Sequence, residues 1–243
     1  MLRDKHVVPV LRVNNRAINQ EFIEKNLGLK TLLEDGPFAD FSSHQSKELV
    51  LSLMESPSAR TRQVKGLKKL ALLVLKVAQV EEIEALLATG ASYSTLYKGK
   101  RGLAFECLSP EGDRFLVHGE ESREDLVEIL APYPFATNEG FVGFSQALVE
   151  EVVLRTPDQI ASQAFYQKLL GDQELVRFEQ AEGDDLQAPA EEVWDLDSLR
   201  FAVRQDFDWA PLEAVLPAGY FKDKRQRFIQ TRDLSGIELW FEK

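Results

Sequence analysis

Cysteine is almost missing: Cys107 is the single one among 243 residues. That excludes an internal disulfide and a thiolate metal cluster, and it suits a reducing compartment. Histidine is nearly as scarce, with His6, His44 and His118 the whole supply. None has a second ligand four residues on, so no HExxH metalloprotease helix can be written. No stretch approaches eighteen uninterrupted apolar residues, and MLRDKHVVPVLRV runs straight into strand-like alternation, without the apolar region or cleavage site of an export signal. A cytoplasmic protein without a membrane span is expected. Positive charge is the minority, 29 Lys and Arg against 40 Asp and Glu for a formal charge of -11. Such a field disfavours nucleic acid and anionic membranes as partners.

What the chain does have is repetition. FIEKNLG at 22–28 returns as FYQKLLG at 165–171, and the ungapped alignment places Arg12 over Arg155, Gln20 over Gln163, Phe22 over Phe165, Lys25 over Lys168, Leu27 over Leu170 and Gly28 over Gly171. A second echo joins LLATG at 86–90 to VLPAG at 215–219. Four units follow, each a strand, a helix and further strands. The first has HVVPVLRV, a helix over 16–26 with Ile18 and Phe22 on one face, and Gly28 at a left-handed cap. The second has KKLALLVLKV, the helix VEEIEALLATG with Val80, Ile83 and Leu87 on one face, then strands either side of SPEGD. In the third, VEEVVLRTPD leads to a helix over 159–170 with Ala161, Phe165 and Leu169 on one face. It then runs through LVRFEQ into AEGDDLQAPAEEVWDLD, an acidic stretch that reads as loop and leaves this unit abbreviated. The fourth has LRFAVRQ, a helix containing Leu212, Val215 and Leu216, and the strands QRFIQT and IELWFE. One such unit cannot bury both its faces, so units are expected to pair into curved sheets enclosing a cavity. Sequence order pairs neighbours: a domain over 1–121, a connector over 122–146 partly packed through Tyr133, Phe135, Phe141 and Phe144, and a domain over 147–243.

The helix phrase ending in LG, together with the turn DLSGIELW before a last strand, resembles the vicinal-oxygen-chelate superfamily of glyoxalase I, extradiol dioxygenases and bleomycin-resistance proteins. That resemblance implies an α+β fold of two domains, each of paired βαβββ modules. From MLRDKHVVPVLRVNN to LSGIELWFEK, in length and two-domain layout, the chain is similar to the streptococcal CppA family, named for a proteinase that degrades complement component C3. The family implies C3 as a host partner and a role outside the cell, reached by surface display or release.

The superfamily commonly draws metal ligands from the first and last strands of paired modules. The corresponding first-strand positions here are Val8, Lys69, Glu151 and Leu199, and the last-strand positions are Leu116 and Glu238, with Glu48 offered by KELVLS. Val8, Lys69 and Leu116 are not ligands, so no metal is expected in the N-terminal domain and no cofactor is expected at all. Two carboxylates in the C-terminal domain could nevertheless hold a weakly bound hard cation or a cationic group. Glu151 and Glu238 are the candidate ligand-binding residues, set in a C-terminal cup, against the plainer reading of half-exposed strand carboxylates. No catalytic residue is selected: GFSQA lacks the second glycine of a nucleophile elbow, and no aspartic-dyad phrase occurs. Cys107 with His118 across the SPEGD turn is one dyad that can be drawn. Against it, Leu103, Phe105 and Cys107 alternate, which places the thiol among apolar residues as an inert core cysteine. The basic runs SARTRQVKGLKK (58–69) and KDKRQR (222–227) read as solvated faces or as a surface for an acidic partner. Three functions stand side by side: C3 proteolysis by resemblance, a non-enzymatic binder of a small molecule or protein in the cupped sheets, and a metal-dependent glyoxalase-like or dioxygenase-like enzyme.

Overall fold

The computed structural model describes residues 1–3 and 7–243; His6 lies outside them. Module one comprises β1 (Val8–Val13), α1 (Arg16–Asn26), β2 (Lys30–Asp35), β3 (Phe38–Ser42) and β4 (Leu49–Glu55). Module two comprises β5 (Leu70–Val77), α2 (Glu81–Ala88), β6 (Thr95–Lys98), β7 (Leu103–Leu108) and β8 (Arg114–His118). A short 3-10 turn at Arg123–Asp125 and β9 (Val127–Glu128) follow. Module three keeps only β10 (Ala147–Thr156), α3 (Gln159–Leu170) and β11 (Val176–Gln180). Module four has β12 (Leu196–Ala202), α4 (Ala210–Glu213), β13 (Phe221–Lys222), β14 (Phe228–Arg232) and β15 (Glu238–Glu242).

The helices start where local chemistry starts them. Asn15 accepts the Ile18 N–H and Asp158 the Ala161 N–H, capping α1 and α3. Gly28 and Gly171 take positive φ just past the two ends. The buried stripes differ from the expected ones: α1 buries Asn19, Phe22 and Ile23 and leaves Ile18 46% exposed, while α3 buries Ser162, Tyr166, Leu169 and Leu170. Mixed polar and apolar positions on each helix allow neighbouring stripes, and the sheet beneath decides between them. Module four's helix stops at Glu213, short of Val215 and Leu216, because Pro217 disfavours helical geometry in the residue before it.

The modules do not pair in sequence order. One sheet has eight strands in the order β13-β14-β15-β12-β1-β4-β3-β2, and the other has seven in the order β11-β10-β5-β8-β7-β6-β9. Module one therefore joins module four through antiparallel β1 and β12, and module two joins module three through antiparallel β5 and β10. Each sheet draws one module from each half of the chain, in place of the expected pairing of neighbours. Register decides this over long range: the apolar runs of β1 and β5 find their partners 185 and 77 residues downstream, as in the Arg12–Asp197 pair and the Glu151 opposite Val74. β5 is apolar from Leu70 to Leu75 and mostly buried, being central in its sheet between β10 and β8.

The inward residues of both sheets, such as Leu11, Leu53, Leu73, Phe105, Phe115 and Leu239, and those of the helices form one apolar cluster. Phe22 of α1 packs on Phe115 of β8, ring centroids 5.8 Å apart. The opposite faces of the sheets point outward. Phe144 is fully buried and Tyr133, Phe135 and Phe141 pack on this core.

The acidic and basic runs meet. Arg62 donates to both carboxylate oxygens of Asp185 (2.6 and 2.7 Å), whose Oδ2 also accepts the Lys65 N–H at 2.6 Å. Asp195 accepts the N–H groups of Lys69 and Leu70 at 2.6 and 3.1 Å. Lys68 pairs with Asp113 at 2.6 Å, and the buried Lys69 ammonium donates to the Ala188 carbonyl. Arg62 and Lys69 of the 58–69 run thus meet the chain's own acidic loop, and Lys68 meets the turn before β8. Within 222–227, Lys222 meets Glu213 and Arg227 meets Asp223.

Candidate functional site

The outward face of the eight-stranded sheet is a cup. A cavity of about 510 Å³ lies over its central strands, lined by Val10, Arg12, Phe38, Met54, Trp240 and the charged residues around them. Glu238, Trp240 and Glu242 alternate along β15 and so share this face; β15 runs parallel to β12, with Glu238 opposite Ser198 and Trp240 opposite Arg200. Gln230 and the Trp240 indole donate to Oε2 of Glu238 (2.7 and 3.1 Å), and Arg232 to its Oε1 at 3.1 Å. Arg200 grips Glu242 with two hydrogen bonds of 3.0 Å.

The seam between β1 and β12 carries one further pair. Val10 faces Ser198 and Leu11 faces Leu196, so Asp197 is an extra residue, a bulge in β12. Its carboxylate meets Arg12 at 2.5 Å. Burial raises the Asp197 pKa and the Arg12 guanidinium works against that rise. The second sheet repeats the device. Val149 faces Leu75 and Glu151 faces Val74, which leaves Glu150 as the extra residue in β10. Glu150 accepts from Lys76 and from Nε2 of His118, each at 2.9 Å. Nδ1 of His118 accepts the Glu120 N–H at 3.2 Å, which leaves the ring proton on Nε2. Partial burial opposes ionisation of Glu150, but the His118 and Lys76 bonds prevail and hold it at about 2. In each sheet, then, a bulged carboxylate is tied to a base on the first strand of the partner module.

Here the two cups diverge. Arg123, from the turn after β8, reaches back to Glu151, whose other oxygen accepts from Arg177 at 2.7 Å. Two arginines thus hold the Glu151 carboxylate in the second sheet, whereas Glu238 lines the cavity of the first.

Glu151 and Glu238 are not brought together. They sit in β10 and β15, in different sheets, because modules three and four have different partners. Among the other ligand positions, Val8 lies on β1 opposite Arg200, Leu116 is a buried residue of β8, and Leu199 belongs to the apolar core. Lys69 is 0% exposed and precedes β5, sealed by Ala188 and Asp195. Glu48 is exposed beside Arg3. Among the described residues no three His, Cys, Asp or Glu side chains are placed to hold a metal ion. The superfamily's metal does not fit: Val10, Ser198 and Ser52 face the open cup, and the carboxylate of Glu238 already takes three donors.

The drawn dyad fails on face. Cys107 pairs with Phe115 on the core side, whereas Leu116 and His118 alternate with it and point outward. Burial pushes the thiol up to about 12. Among the described residues, no serine hydroxyl is hydrogen-bonded to His44 or His118, so no nucleophile–base pair is formed from serine. Trp240 and Glu242 were legible as the alternation partners of Glu238 in IELWFE. Arg12, Glu150 and Asp197 were not, since a bulge leaves no mark in composition or period.

Two family models match the chain, CppA N-terminal over residues 6–129 and CppA C-terminal over 144–241. No curated protein matches it. Among solved structures, the cppA protein of Streptococcus pneumoniae TIGR4 is 36% identical, covers 98% of this chain and 97% of its own, and superposes with a TM-score of 0.86. Glyoxalase I from Zea mays is 11% identical over 98% of this chain and 92% of its own, TM-score 0.57, a likeness of fold alone. The α+β architecture is thus that of the glyoxalase and bleomycin-resistance type, and the chain belongs to the CppA family.

Proposed function

We propose that this chain is a non-enzymatic binding protein whose open cup takes a small amphiphilic molecule. One observation carries the reading: a cavity of about 510 Å³ in which Trp240, Phe38 and Met54 offer apolar surface, while the charged walls are already joined as Arg12–Asp197, Arg200–Glu242 and Arg232–Glu238. Apolar surface with a few fixed polar groups is the usual make-up of a ligand pocket. Walls neutralised from within need no reorganisation when a ligand enters. Glu238 is the polar residue assigned to this site, whereas Glu151 is held by Arg123 and Arg177 in the other sheet.

The family resemblance implies C3 proteolysis instead, and one experiment addresses both. Protein purified to homogeneity is titrated with anilinonaphthalene sulfonate as an amphiphilic probe and, separately, incubated with C3. Saturable probe binding that Trp240→Ala weakens at least fivefold, with C3 intact by mass spectrometry, is the expected result. Cleavage of C3 that a single substitution abolishes without unfolding the protein would replace binding with catalysis.

A further inference from the structure

Three modules place an antiparallel strand beside the last strand: β3 beside β4, β7 beside β8 and β14 beside β15. Module three does not. β11 holds the last-strand place, parallel to β10, and is the end of its sheet. A cavity of about 610 Å³ occupies the side left empty, lined by β11, by Arg123 and Glu151, and by Gln159, Gln163 and Gln167, which follow one another at helical spacing on α3.

The edge is a template for a strand. Val152 donates to the Leu175 carbonyl and Ala181 to that of Thr156, so alternation turns the backbone groups of Val176, Phe178 and Gln180 away from β10. The Gln159 side chain donates to the Phe178 carbonyl at 2.9 Å, the bond a neighbouring strand would make, and an incoming strand must share or displace it. Arg177 and Glu179 flank Phe178 and share a face, 54% and 45% exposed.

We infer that a second copy of this chain occupies the edge, β11 pairing antiparallel with β11 about a two-fold axis through Phe178. In that register Phe178 faces Phe178, Val176 faces Gln180, and Arg177 of each copy lies opposite Glu179 of the other. These charges fall in the non-hydrogen-bonded pairs, where opposed side chains are closest. A closed two-fold interface requires a self-complementary patch, and VRFEQ is one. Charges on an edge ordinarily repel a strange strand; here opposite signs stand one residue either side of the centre, so the like strand is selected. Ile160 of α3, next in sequence to the Gln159 that reaches Phe178, is 83% exposed. The six-residue edge β2 is blunted. It bulges at Leu32, its Thr31 is held by Gln20 and Glu24, and its Glu34 by Gln20 and Arg16.

Five paired residues bury less than a stable interface of about 1,200–2,000 Å² requires, so dissociation is expected on the order of 10–100 µM. The full chain is examined by sedimentation velocity from about 1 to 500 µM, with hydrogen exchange at both limits and circular dichroism to confirm the fold of every variant. Wild type should pass from monomer to dimer, with the Val176, Phe178 and Gln180 amides protected at high concentration. Glu179→Arg places arginine opposite arginine and should weaken the dimer about tenfold, as should Arg177→Glu by opposing glutamates. An equimolar mixture of the two variants should form a heterodimer, because both cross-strand pairs are then of opposite charge. Any of four results overturns the proposal: a monomer throughout, a dimer indifferent to Glu179→Arg, a mixture that stays monomeric, or protection at β2 in place of β11. A monomer that instead takes up a peptide copying residues 36–45 at β11 would assign the edge to a foreign strand.

Discussion

Cys107 shows how an environment disarms a reactive side chain. The thiol is 2% exposed, packed on the core side of β7, and burial pushes it up to about 12, far from the thiolate that a nucleophile requires. It is therefore expected to stay unmodified by a disulfide-exchange reagent at pH 8 in native protein and to react stoichiometrically in denaturant; reaction at comparable rates in both states would refute the buried placement. The alternation Leu103, Phe105, Cys107 already indicated this face, because a period of two is a local property. His118 was no less visible as a residue, but its company was not. The carboxylate it meets, Glu150, stands 32 residues away on another strand and turns toward it only through a bulge.

At the scale of elements, the long connections act as straps. Asp185, Asp195 and Ala188 of the acidic loop hold the segment leading into β5. The bond from Arg62, with the Lys65 N–H, outweighs desolvation and lowers Asp185 from its ordinary 3.8 to about 2. A carboxylate whose folded pKa lies below its unfolded one stabilises fully above the unfolded value and ceases to do so as pH falls through the folded one. The strap should accordingly weaken between about pH 4 and pH 2, over the same range as Glu150 in the second cup. Asp185→Asn should cost about 1–3 kcal/mol at pH 7 and flatten that acid limb; equal acid sensitivity in variant and wild type would remove Asp185 from the strap. The second strap, over 141–145, lies against module one, where the Phe144 N–H donates to Gly28 and the Phe144 carbonyl accepts from His44, both at 2.8 Å. Gly143 has φ of 138°, and an added Cβ would lie 2.2 Å from Nε2 of His44 and 2.7 Å from the Gly28 carbonyl. Gly143→Ala is expected to lose about 2–4 kcal/mol in urea unfolding, more than most single substitutions cost. A change under 1 kcal/mol would show that this strap can shift freely.

For the whole molecule the decisive fact is crossed pairing. Each half of the sequence contains two modules, and family models match the halves separately, yet β1 needs β12 and β5 needs β10. Expressed alone, residues 1–129 would present both apolar first strands as open edges, and residues 144–243 would do the same. Neither fragment should show dispersed amide resonances, while co-expression should recover a folded complex. Two independently folded halves would contradict the crossed arrangement. The same pairing sets the two carboxylates apart, since Glu151 is held by Arg123 and Arg177 in one sheet and Glu238 lines the cavity of the other.

The sequence by itself determined whatever depends on neighbours along the chain: the helix bounds and caps of α1 and α3, the alternation within strands, the abbreviated third module and the buried cysteine. It also carried Glu238 to a cup through the period of β15. Tertiary structure alone decided which modules share a sheet, and with that the separation of Glu151 from Glu238, the two arginines on Glu151, and the union of the acidic loop with the basic run. The reason is physical. Periodicity and capping are set within a turn or two of chain, whereas pairing compares the free energies of edges far apart in sequence, and a one-residue bulge then redirects a carboxylate such as Asp197 without changing any local preference.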